Sequence, residues 1–238
     1  MTQALFRDDS YLRDCEATVT AINDRGGIVL DQTVFYPTGG GQPGDSGTMS
    51  WDGGSCVIAT AVKGDAPEEV VHVPEEGAAL PEVGATVTAS LDWDRRFRHM
   101  RVHTALHLLS VVIPLPVTGG SITAEKGRLD FDMPEAPEDK EALQAELERL
   151  IAGDHAVTDE WITDAELVAK PEMVKTMSVK PPMGQGHVRV VRIGGADPVD
   201  LQPCGGTHVR STAEIGAVRL GKVEKKGKQN RRVSLLLE

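Results

Sequence analysis

The period of the hydrophobic pattern changes at Asp92, and that change constrains the possible folds of this 238-residue chain more than any other feature. Before Asp92, apolar and polar residues alternate in short runs. Cys15-Glu16-Ala17-Thr18-Val19-Thr20-Ala21-Ile22 alternates, and Asn23-Asp24-Arg25-Gly26-Gly27 supplies a turn. Residues 28–30, 34–36, 56–62, 70–73 and 85–91 are further strand material. Many short strands at this spacing predict a small barrel or sandwich. After Asp92 the pattern becomes helical, with Asp92 or Asp94 as N-cap. Residues 102–113 are apolar almost all round, which implies burial, and Pro114 and Pro116 end the helix.

The remaining elements follow the same logic. A second helix is expected over 137–152, with Leu143, Leu147, Leu150 and Ile151 as its buried stripe and Gly153 at C′. Thr163-Asp164-Ala165-Glu166 fits a capping box opening a short helix that Pro171 stops. A strand is expected over 188–193, and a terminal hairpin pairs 217–223 with 231–237. The fold class is therefore α+β, with a β-rich domain over 1–92 and a second domain over 93–238, each long enough to bury a core.

The buried helix carries two histidines, His103 and His107, four residues apart. That spacing stacks them on one face about 6 Å apart along the axis, so both can reach one ion. Cys204-Gly205-Gly206-Thr207-His208 offers a thiolate and a third imidazole on a glycine-rich loop. Each half alone is as well explained by core histidines or a small buried cysteine. Together they form a nitrogen and sulfur donor set that suits one Zn²⁺ ion. Thr104 follows the first histidine where zinc-protease helices carry a glutamate base, so that mechanism is excluded. His72, His99, His155 and His187 have no comparable pairing.

A second unusual stretch is Tyr36-Pro37-Thr38-Gly39-Gly40-Gly41-Gln42-Pro43-Gly44-Asp45-Ser46-Gly47. Three successive glycines permit φ > 0 and close backbone approach, which serves a backbone cradle for a ligand or a tight hairpin equally well. The loop lacks the lysine and hydroxyl ending of a P-loop. Gly44-Asp45-Ser46-Gly47 echoes a serine-protease signature, but the chain has no histidine before it, as that fold requires.

Formal net charge is −11, which argues against indiscriminate nucleic-acid binding. Yet Arg95, Arg96, Arg98, His99 and Arg101 cluster before the helical histidines. Lys222, Lys225, Lys226, Lys228, Arg231 and Arg232 cluster near the end. Such patches serve one defined phosphate backbone, or are simply solvated faces. Three cysteines, no basic and apolar leader and no membrane-length apolar run make the cytoplasm the expected compartment. No coiled coil is evident, and a monomer is expected.

His103-Thr104-Ala105-Leu106-His107-Leu108-Leu109 and Gln202-Pro203-Cys204-Gly205-Gly206-Thr207-His208 resemble the paired motifs of the alanyl-tRNA synthetase editing domain and its free-standing relatives, the AlaX proteins. The loop over 36–45 is similar to the glycine-rich motif of medium-length AlaX proteins, and residues 215–227 are similar to the family as well. The resemblance implies a translation-protein-like β-barrel, then the α/β editing domain common to threonyl- and alanyl-tRNA synthetases. It implies trans-editing, the zinc-dependent hydrolysis of serine, or glycine, wrongly esterified to tRNA(Ala). The chain has no room for an aminoacylation core, so an editor and not a ligase is implied.

Under this resemblance His103, His107, Cys204 and His208 hold the zinc ion. Four protein ligands leave three alternatives open: one is loose, the shell expands, or zinc orients the substrate's amino group. Thr104 and the Gly39, Gly40 and Gly41 loop are expected to recognise substrate. A hydroxyl that bonds the seryl side chain would discriminate against alanine, although a threonine in a helix can instead bond back to its own carbonyl. Arg95, Arg96, Arg98, Lys225, Lys226 and Lys228 are the expected tRNA-backbone contacts. The rival readings are a threonyl-type editing domain, a zinc-stabilised RNA-binding module without catalysis, and a hydrolase of small esters.

Overall fold

The structure is a computed structural model that describes residues 2–137, 139–177, 184 and 186–238. Its contacts divide the chain into two compact units, Met1–Phe97 and Arg98–Glu238. The division falls inside the first helix, five residues after the sequence boundary at 92. Side chains of that helix's first turns account for the shift. Trp93 stacks on Phe97 at 5.7 Å and sits 5.3 Å from Tyr11, and Arg96 reaches Asp45.

The first unit contains β1 (Gln3–Ala4), β2 (Asp14–Ile22), β3 (Ile28–Leu30), β4 (Gln32–Thr33), β5 (Gly47–Trp51), β6 (Gly54–Lys63), β7 (Val70–Pro74) and β8 (Thr86–Leu91). Six strands close into a barrel in the order β2-β3-β7-β6-β5-β8. Closure is antiparallel, with Cys15 opposite Ala89 and Thr48 opposite Ser90, so β8 lies between β2 and β5 and has no free edge. The alternation read in the sequence supplies the core. Ala17, Val19, Met49, Ile58, Val87 and Ala89 point inward, with Ile28 and Leu30 of β3. Residues 34–36 are not a strand. Val34, Phe35 and Tyr36 are buried irregular backbone, with Val34 and Phe35 in the barrel core, which explains their apolar character without a ladder.

The second unit is built on α1 (Trp93–Val112), whose N-terminus Asp92 caps by accepting from the Arg95 amide at 3.1 Å. Met100, Val102, Ala105, Leu108 and Leu109 are fully buried, as the all-apolar pattern requires. One sheet runs β14-β15-β10-β9, from β9 (Val117–Ile122), β10 (Lys126–Asp132), β14 (Val218–Lys225) and β15 (Asn230–Leu237). A Cβ at Gly127 would lie 2.6 Å from Val102 and 2.9 Å from Leu106, so this glycine lets β10 press against α1. A second sheet runs β11-β12-β13, from β11 (Val157–Thr163), β12 (His187–Ile193) and β13 (Asp200–Pro203).

Helix α2 (Lys140–Ala152) starts later than position 137, with Asp139 as N-cap. Leu147, Leu150 and Ile151 are buried, whereas Leu143 is half-buried. Gly153 does not adopt the left-handed conformation expected of it. Its φ is −66°, and Asp154 takes the positive φ of 49° instead. The capping box opens α3 (Asp164–Ala169) as expected, with Thr163 and Glu166 reciprocally bonded. No helix among the described residues is long and apolar enough to cross a membrane.

Candidate metal centre

His103 and His107 come from consecutive turns of α1, with ring centroids 5.3 Å apart. Residues 204–208 fold back onto that face. The His208 ring lies 4.3 Å from His103 and 4.6 Å from His107. Cys204 Sγ is 3.2 Å from His208 Nε2 and 3.5 Å from His103 Nε2. The potential ligand atoms of all four residues lie within 4.8 Å of one another. A tetrahedral shell with zinc bonds of about 2.0–2.3 Å has edges of about 3.3–3.8 Å, so a small inward movement completes it.

The surroundings also fit a metal. Nδ1 of His107 donates to Asp200 Oδ2 at 2.9 Å, which leaves Nε2 for an ion. Asp200 is held by Lys175 Nζ at 2.6 Å and by Gln202 Nε2 at 2.7 Å. Arg189 fastens the 204–208 loop by donating to the carbonyls of Cys204 at 2.9 Å and Gly206 at 3.1 Å.

The charges agree with this geometry. Burial would raise the Cys204 thiol, but the neighbouring imidazoles of His103 and His208 outweigh it and hold the group well below its ordinary value. Burial likewise opposes the Asp200 carboxylate, yet its bond to His107 and the Lys175 ammonium bring it to about 2. Burial would lower His107, but Asp200 and Cys204 hold it up at about 9. A thiolate among three crowded imidazoles is a donor set that could hold a metal ion.

The structure bears on three sequence expectations. Thr104 has no exposed surface, and its hydroxyl donates to Met100 O at 2.9 Å. With its single hydrogen committed there, it bonds back to its own helix, the alternative that the sequence left open. Arg96 is also fully buried and cannot meet a tRNA phosphate. Its guanidinium donates to both Asp45 oxygens, to Val34 O and to Ser10 O. Arg95, half-buried, donates to Gly44 O at 2.7 Å, so both arginines brace the glycine-rich loop. Arg98, Lys225, Lys226 and Lys228 are exposed.

The glycine-rich loop itself is a tight turn in the first unit. Gly39 and Gln42 exchange backbone hydrogen bonds at 3.0 and 2.9 Å across Gly40 and Gly41, whose φ values are +57° and +85°. Gly40 and Gly41 form an exposed tip.

Asp200, Gln202, Lys175 and Arg189 were not foreseen as parts of the site. A signal existed for two of them. Asp200 and Gln202 are two apart on β13 and so face one side of the strand that delivers Cys204. Lys175 carries no such pattern.

Comparison with known proteins agrees with both units. Residues 4–95 match the family described as tRNA synthetases class II (A), and residues 188–234 match the threonyl and alanyl tRNA synthetase second additional domain. The alanyl-tRNA editing protein AlaX-M of Methanosarcina mazei is 36% identical over 98% of this chain and 95% of its own length. That of Saccharolobus solfataricus is 34% identical over 98% of both chains. An alanine–tRNA ligase of Pyrobaculum neutrophilum is 36% identical over 94% of this chain but only 25% of its own length.

Proposed function

The chain belongs to the AlaX-type family of alanyl-tRNA editing proteins, and on that premise we propose that it deacylates, in trans, tRNA(Ala) mischarged with serine or glycine. The observation that carries this reading is the convergence of His103, His107, Cys204 and His208 on one point, in a chain that matches the editors almost end to end. The donor set favours zinc, one ion per chain. When bound there, zinc supplies Lewis acidity, which acidifies a water or polarises an ester carbonyl. An aminoacyl ester is already activated, so this modest assistance suffices.

The chain's own residues supply the setting. Asp200 orients His107, and Arg189 holds the loop that carries Cys204 and His208. For tRNA we assign the exposed Arg98, with Lys225, Lys226 and Lys228 along the β14–β15 turn, to phosphate contacts. Lys126, Lys140, Arg219 and Lys222 surround a concavity on the same unit and extend this positive surface. The exposed Gly40–Gly41 tip is a further proposed substrate contact. The reading places the protein in the cytoplasm with its substrate, acting as a monomer.

Release of amino acid from seryl-tRNA(Ala), alanyl-tRNA(Ala), seryl-tRNA(Thr) and a seryl ester without tRNA tests the proposal. Fast release from seryl-tRNA(Ala) alone is expected. Preference for seryl-tRNA(Thr) would mark a threonyl-type editor, equal turnover of the small ester would mark a general esterase, and no turnover would mark a binding module.

A further inference from the structure

A histidine can serve an ion only if the ring presents the correct nitrogen. In neutral imidazole one nitrogen carries the hydrogen, and the group bonded to that hydrogen selects the tautomer. For His107 that group is Asp200. At Nδ1 of His208 the neighbour is the Thr104 hydroxyl, at 3.1 Å. We infer that Thr104 is the positioning residue that fixes His208 with its hydrogen on Nδ1 and its Nε2 lone pair aimed at the metal point. The inference rests on the metal reading given above.

The argument is a count of hydrogens. The Thr104 hydroxyl owns one, and it goes to Met100 O at 2.9 Å, one turn back along α1. The oxygen can then only accept from its other neighbours. These are the Val209 amide at 3.3 Å and Nδ1 of His208 at 3.1 Å. Nδ1 therefore carries hydrogen, and Nε2, which lies 3.2 Å from Cys204 Sγ, is left as a ligand. One fully buried oxygen thus sets the tautomer of His208 and anchors the backbone just after it. Its place beside His103 in the sequence ties both halves of the ligand set to α1.

Side-chain shape supports the assignment. The β-branch of threonine restricts χ1, so its oxygen is held in place before any ion arrives. Valine has the same shape but would put a methyl against two buried N–H groups, whereas serine keeps the acceptor.

The test uses the full chain, with zinc competed against a chromophoric chelator, for wild type, Thr104→Val and Thr104→Ser. Zinc affinity should fall about 10–100-fold in Thr104→Val, as for other residues that hold a ligand in place, and be largely kept in Thr104→Ser. In the zinc-loaded wild type, NMR should show a slowly exchanging proton on Nδ1 of His208, and this protection should be lost in Thr104→Val. Wild-type affinity in Thr104→Val, or equal weakening in both variants, would overturn the inference. Should Thr104→Val fail to fold, the Nδ1 proton decides, since its absence from zinc-loaded wild type also overturns it. A wild type that takes up no zinc would remove the metal reading itself, a failure distinct from a variant that binds as well as wild type.

Discussion

Nδ1 of His107 donates to Oδ2 of Asp200 at 2.9 Å, while Lys175 holds the other carboxylate oxygen at 2.6 Å. His107 of α1 is thereby oriented by a residue from β13, which is in turn fixed by a lysine from a third part of the chain. Asp200→Asn keeps the shape but replaces the charged acceptor with an amide. Zinc affinity, read by chelator competition, should fall about 10–100-fold. An unchanged affinity would mean that His107 is oriented by something else.

The buried Arg96–Asp45 pair makes a different prediction. Removing one partner leaves an uncompensated buried charge, which typically costs about 3–5 kcal/mol. Arg96→Met should therefore lower stability in urea unfolding by an amount of that order. Arg98→Ala, at an exposed site, should leave stability unchanged and instead reduce the salt dependence of tRNA binding. If Arg96→Met were as stable as wild type and weakened tRNA binding, the phosphate role read from sequence would be restored.

His72 gives the fold a pH dependence. It lies in the barrel, donating from Nδ1 to Ile28 O at 3.0 Å and accepting at Nε2 from the Thr33 hydroxyl at 2.7 Å. Burial lowers it from 6.5 to about 4, although the bond to Ile28 opposes this. Between those values the unfolded chain binds a proton that the folded chain does not, so stability is lost as pH falls from 6.5 towards 4. The loss is about 3 kcal/mol over this window. In denaturant titrations the stability gap between wild type and His72→Gln should narrow by that amount from pH 7 to pH 4. A constant gap would show that His72 does not titrate in this way.

Cys204→Ser tests the softness of the donor set. Serine keeps the size but its hydroxyl does not ionise near neutral pH, so zinc should be lost in equilibrium dialysis while the far-UV spectrum is kept. Retention of zinc at wild-type affinity would point to a site held by the three imidazoles alone.

Strands β2 and β8 and the histidine helix were legible because each has a pattern with one period, although the strands alone left barrel and sandwich open. Val19 and Ala89 alternate with less buried neighbours, and residues 102–110 are buried all round. Residues 34–36 misled because buried irregular backbone needs the same apolar side chains as a strand. Strands β9 and β10 escaped because Gly119, Gly120 and Gly127 interrupt the alternation, at least one of them to admit α1. The cluster of His103, His107, Cys204 and His208 could be assembled from spacing and residue type. The roles of Thr104 and Arg96 could not, because they depend on what stands opposite, at Met100, His208 and Asp45. A hydroxyl beside a ligand and an arginine in a basic run read as surface chemistry until their partners are known.

The most direct measurement is turnover of seryl-tRNA(Ala) by the protein stripped of metal and then titrated with zinc. The account predicts that activity is lost on stripping and returns in proportion to added zinc, reaching its plateau at one ion per chain. Full turnover by the stripped protein would contradict it, because the four converging ligands would then have no part in the reaction.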